Sequence, residues 1–94
     1  MAEPRRYRRR DGVDVVDLAE DEVVARSPDR SHAVVLNATA SAILELCNGE
    51  HTVLEMARFL HDALPSSELS KVVSDVEAIL EQLREAEIVC TVQP

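Results

Sequence analysis

His32-Ala33-Val34-Val35-Leu36-Asn37-Ala38-Thr39-Ala40-Ser41-Ala42-Ile43-Leu44-Glu45-Leu46-Cys47-Asn48-Gly49 contains the change of period that decides the fold. From His32 to Leu36 the residues alternate, Val34 and Leu36 on one face and Ala33 and Val35 on the other, which reads as a strand. At Asn37 the pattern becomes helical. Asn is a good N-cap, and Ala40, Ile43, Leu44 and Cys47 recur at spacings of three and four. Asn48 and Gly49 read as the stop of that helix, because Gly adopts the left-handed C-terminal cap at little cost.

Upstream, Val13 to Leu18 and Glu22 to Arg26 are short Val-rich stretches separated by Ala19, Glu20 and Asp21. They read as two strands of a hairpin. Ser27 to Ser31, with Pro28 and Asp29, is a loop leading into the third strand. Downstream, Thr52 and Glu55 form a capping box for a second helix with Val53, Met56, Ala57, Leu60 and Leu64 on one face, ended by Pro65. Ser66 or Ser67 opens a third helix, whose stripe is Leu69, Val72, Val73, Val76, Ile79, Leu80 and Leu83. Ile88 to Val92 reads as a last short strand. The expected architecture is α+β: a winged helix-turn-helix, with a three-stranded N-terminal antiparallel sheet packed on three helices and the joint at Asn48 and Gly49.

The chain has 94 residues, enough for one domain. Aromatic residues make up 2% of it, so the core must be built from Val, Leu, Ile and Ala. Net charge is −8, unevenly placed. Residues 1–10 hold five Arg and one Glu, a balance of +4, which leaves −12 on residues 11–94. Residues 1–10 read as a disordered basic tail and residues 11–94 as a single domain. The apolar runs are far shorter than the roughly 20 residues that span a bilayer, and the Arg-rich start has no apolar stretch behind it as a secretory signal would. Cys47 and Cys90 stand far apart, with no C-x-x-C pair. A soluble cytoplasmic protein without membrane association is expected.

The residues of catalysis are not grouped. His32, His51 and His61 fall on different elements, none sits three or four residues from another, and no Asp or Glu cluster accompanies them, so no metal is expected. Gly12 and Gly49 are the only glycines, which leaves no loop to cradle a phosphate. Ser41 has no obvious base, and Cys47 on an apolar helical face reads as a small core residue. The expectation is a protein that is no enzyme and takes no cofactor. Specific DNA binding is opposed by charge. From Ser67 to Glu87 the third helix carries Lys71 and Arg84 against Glu68, Asp75, Glu77, Glu81, Glu85 and Glu87, a net −4 on the element that would approach phosphates. A small winged-helix DNA-binding regulator is the alternative reading.

Val35-Leu36-Asn37, the helix with Ile43-Leu44-Glu45-Leu46, Asn48-Gly49, Thr52-Val53 and then Asp75-Val76 with Leu80 and Leu83 resemble, in order and spacing, the PqqD-like family. These are precursor-peptide recognition domains of ribosomal peptide natural-product pathways, and the resemblance covers Val13 to Val92. The product class stays open between pyrroloquinoline quinone, a lasso peptide and another product. The resemblance implies a non-catalytic role: the leader segment of a precursor adds as a strand beside the third strand, in the cleft against the third helix, and is delivered to a leader peptidase or other modifying enzyme. Carried onto this chain, the peptide-binding positions are His32, Ala33, Val34, Val35 and Leu36, with Val72, Asp75, Val76, Ile79 and Leu83 on the third helix. Val76 and Leu83 read equally as plain core, and Leu80 reads as core rather than cleft. Asp75 is either a partner for a basic or hydroxyl group of the leader or a solvated acid.

Overall fold

A computed structural model describes residues 5–63 and 67–92. Six strands and three helices follow one another: β1 (Arg6–Arg9), β2 (Asp14–Ala19), β3 (Glu22–Arg26), β4 (Ala33–Leu36), α1 (Ala38–Glu45), β5 (Asn48–Thr52), α2 (Val53–Ala63), α3 (Leu69–Glu85) and β6 (Val89–Val92). They form two antiparallel sheets of three strands, ordered β2-β3-β4 and β5-β1-β6. The α+β class and the N-terminal three-stranded sheet are as expected. The second sheet is not.

The first sheet is a meander. Ala19 pairs with Glu22, so the β2–β3 loop is the two residues Glu20 and Asp21. Asp21 takes the left-handed conformation there (φ 63), which Asp tolerates better than most side chains. Between β3 and β4 the Asp29 carboxylate accepts from Ser27 Oγ (2.9 Å), Ser31 N (3.0 Å) and Ser31 Oγ (2.6 Å). Ser27 is fully buried, and its Oγ also accepts from His32 N at 3.0 Å. These contacts hold the loop that delivers the chain to β4.

Asn37 caps α1, its side chain accepting from Ala40 N at 2.9 Å. The capping box closes as expected, with Thr52 N donating to Glu55 Oε1 (2.9 Å) and Glu55 N to Thr52 Oγ1 (3.2 Å). Between these two caps the structure departs from the sequence reading. Leu46 is the C-cap of α1. Asn48 and Gly49 belong to β5, where Gly49 has φ 86 and lies against Val92 and Arg8. A strand therefore stands where a tight helix-turn-helix joint was expected. At α3 the N-cap is Glu68, which makes no side-chain cap bond. Leu64, Pro65 and Ser66 lie outside the described residues.

The tail is the second correction. Arg6–Arg9 form the middle strand of the second sheet, Arg6 facing Thr52 on β5 and Val92 on β6. Two features order it. Tyr7 is buried in the core, and the strand's end is tied down by Arg9 N donating to Cys47 O (2.8 Å) and Arg10 N to Ile88 O (3.0 Å). Ile43, Met56, Val76, Leu80, Leu83 and Ile88 are wholly inaccessible and form the centre of the core. Burying a side chain of this size contributes about 1.5–3 kcal/mol.

Candidate functional site

The first sheet ends on β4, which has a strand neighbour on one side only, β3. Its facing pairs are Leu36 with Val23, Val35 with Val24, Val34 with Ala25, and Ala33 with Arg26. One pair further on, Ser27 N donates to His32 O at 3.0 Å. Antiparallel pairs alternate between those that exchange backbone bonds and those that do not. Counting from Ser27–His32, the Val34 and Leu36 pairs exchange bonds with β3, whereas Ala33 and Val35 turn their N–H and C=O groups to the outer edge. Among the described residues no backbone group pairs with them there.

Side chains on this edge divide by face. Leu36 is buried and Val34 packs against the core, while Ala33 is exposed and Val35 keeps 57% of its surface accessible. Val35 continues an outer row with Val24 and Val16. Beside that row Arg26 is bonded to the Asp14 carboxylate, which holds the Asp14 pKa below its usual value. At the entry of β4, His32 Nδ1 lies 2.9 Å from Ser31 Oγ and 3.6 Å from Glu87 Oε2, just beyond the end of α3.

The expected helix positions do not all reach a surface. Val76 and Leu83 have no accessible surface and Val72 has 6%, so these three are core and present no side chain to a ligand. Periodicity could not separate them from cleft residues, because a buried stripe and a binding stripe share one spacing. Leu80 is core, as read from the sequence. Ile79 is half-buried, and Asp75 is exposed with its carboxylate oxygens 3.3 and 3.4 Å from Lys71 Nζ. At 100° per residue, Asp75 and Ile79 flank the stripe on the side away from Glu77 and Glu81. Those two glutamates face Arg5, Tyr7 and Val53 around a cavity of about 440 Å³.

The potential nucleophile is inert. Cys47 is buried, donates its thiol to Ile43 O at 3.2 Å, and has its pKa pushed up to about 12 by burial. Among the described residues no group of three His, Cys, Asp or Glu side chains could hold a metal ion, and no helix is long and apolar enough to cross a membrane.

Fold and edge together define a small α+β domain with open strand edges, β4 among them. The family model for coenzyme PQQ synthesis protein D (PqqD) matches residues 22–89, and the chain belongs to that family. The match begins at β3 and ends at the first residue of β6, leaving β1 and β2 outside it. PqqD proteins are non-catalytic accessory proteins that bind a precursor peptide and work beside a biosynthetic enzyme. No curated protein and no solved structure matches the chain significantly.

Proposed function

We propose that this domain captures the leader segment of a ribosomally made precursor peptide by strand addition along β4, and presents the remainder to a leader peptidase or other modifying enzyme. The observation that carries the reading is the outward backbone of Ala33 and Val35. Two N–H donors and two C=O acceptors stand ready on an unpaired edge, the requirement for β-augmentation. Each bond formed there contributes about 0.5–1.5 kcal/mol net, so side chains must supply the rest. The contacts proposed are Val35 and Ala33 on the outer face, His32 at the entry, and Ile79 with Asp75 on the flank of α3. Holding the leader raises the effective concentration of the attached core peptide at the enzyme's active site. Ordering a flexible leader has an entropic cost, so a short contact implies modest affinity.

The test is an anisotropy titration of a labelled leader peptide, taken from any small precursor found encoded near this gene, against the full chain. Saturable binding that is lost in a folded Val35→Pro variant is expected. A folded variant that binds as well as the parent overturns strand addition at β4. Failure of the parent to bind the leader, with salt-dependent binding to duplex DNA in its place, would favour the regulator reading.

A further inference from the structure

Strand β1 carries a charge that the leader site does not use. Arg5, Arg6, Arg8, Arg9 and Arg10 are half of the ten basic residues in a chain of net charge −8. Because β1 is the middle strand of its sheet, these side chains are set out by an ordered backbone. Arg6 and Arg8 project opposite to buried Tyr7, roughly 7 Å apart at strand spacing. Their cross-strand partners are Thr52 and Asn48 on one side, Val92 and Cys90 on the other, none of them acidic. Arg8 pairs with Asp11 at 3.1 Å and Arg10 with Glu87 at 3.9 Å. Arg6 has no carboxylate within 4.0 Å among the described residues, and Arg9 lies on the other face of the strand, that of Tyr7. At the end of the strand Arg8, Arg9 and Arg10 border an open cavity of about 620 Å³, with Asp11 and Glu45 also in its wall.

We infer that the arginine face of the β5-β1-β6 sheet is a docking surface for an acidic segment of a protein partner. Guanidinium groups at strand spacing suit carboxylates, which each can bind through two parallel N–H bonds. Residues 11–94 carry a net −12, so the patch favours the orientation in which such a partner meets it. A long polyanion fits less well. The four residues of β1 span about 13 Å, the length of about four residues of extended peptide. The inference stands apart from the leader reading, since β1 and β4 belong to different sheets.

The test is a nuclear magnetic resonance titration of the ¹⁵N-labelled full chain with a tetraglutamate peptide at low salt, about 50 mM, where screening is weak. Amide shifts should be confined to Arg6–Arg9, Asn48–Gly49 and Cys90–Val92. An Arg6→Glu/Arg8→Glu variant should bind the probe at least about tenfold more weakly, given the strength of charge-assisted bonds, while its leader affinity stays unchanged. Should that variant fail to fold, Arg6→Gln/Arg8→Gln gives the same comparison without new charge. Shifts scattered over other elements, or equal binding by the folded variants, would overturn the inference. So would tighter binding of a short DNA duplex through the same amides at the same salt.

Discussion

Glu87 Oε2 lies 3.6 Å from His32 Nδ1, and it reaches there from a residue in the left-handed region, φ 63. That conformation ends α3. Glu87 N donates to Arg84 O (3.0 Å) and Ile88 N to Leu83 O (2.9 Å), the paired bonds of a Schellman cap, with Ile88 packed in the core beside Leu83. Glycine usually fills this position, and a side chain there costs roughly 1–2 kcal/mol. The glutamate holds two groups in return, His32 at the entry of β4 and Arg10 after β1. Both pairs are exposed, so together they offset about 0–1 kcal/mol each. Glu87→Gly is therefore expected to leave stability level or raise it by about 1 kcal/mol. Urea denaturation checks this, and a clear loss would show that the two pairs outweigh the backbone strain.

The alternation along β4 makes neighbouring residues unequal. Val34 exchanges bonds with Ala25, while Val35 points its N–H to the open edge. Proline removes the donor and tolerates edge positions only. Val35→Pro should fold with little loss and abolish leader binding. Val34→Pro should break a ladder bond and destabilise the domain by about 3 kcal/mol or more. Circular dichroism melts of both variants decide it; equal losses would mean that the register assigns the edge wrongly.

Val76 and Ile79 stand one helical turn apart and answer differently to charge. Val76 is inaccessible, so Val76→Asp places a carboxylate among Ile43, Leu80 and their neighbours without a partner, at a cost of several kcal/mol. It should unfold the domain rather than report on leader binding. Ile79 is half-buried and can turn a charge towards water. Ile79→Asp should fold, with a stability loss of about 1–2 kcal/mol and weakened leader capture. A cooperative melt for Ile79→Asp, and its absence for Val76→Asp, is the expected observation.

What could be read from the sequence was local. Valine-rich stretches mark β2 and β3, alternating faces mark β4, and the caps at Asn37 and at Thr52 with Glu55 each rest on contacts within three residues. β5 could not be found this way, because Asn48-Gly49-Glu50-His51-Thr52 has little strand propensity and is a strand only by pairing with β1, some 40 positions upstream. β1 was hidden for the same reason: five arginines surround the one residue, Tyr7, whose burial orders them. At the candidate site the strand was legible and its side-chain faces followed. Which α3 residues keep accessible surface was not, since Val72, Val76 and Leu83 carry the periodicity of a core and of a cleft alike.

The loop before β4 should make stability fall in acid. Three donors, from Ser31 Oγ, Ser31 N and Ser27 Oγ, hold the Asp29 carboxyl far below the ordinary aspartate value of 3.8. The hydroxyl of Ser31 is the largest influence. A carboxylate whose pKa is lower folded than unfolded stabilises the fold above the unfolded value, and that contribution is lost as the pH falls towards the folded one. Between about pH 6 and pH 4 Asp29 is ionised in both states, so its contribution is present; below about pH 4 the unfolded chain takes up a proton that the folded loop refuses. Asp29→Asn removes this linkage while keeping an acceptor. The variant should be less stable than the parent at neutral pH, and the gap should narrow as the pH drops below 4. Urea midpoints measured from about pH 2.5 to pH 6 give both curves. Parallel curves would place the acid sensitivity elsewhere, with Asp14, Glu55 and Glu81, whose carboxyls are also held below their usual values by Arg26, Thr52 and Arg84, as the groups to replace next.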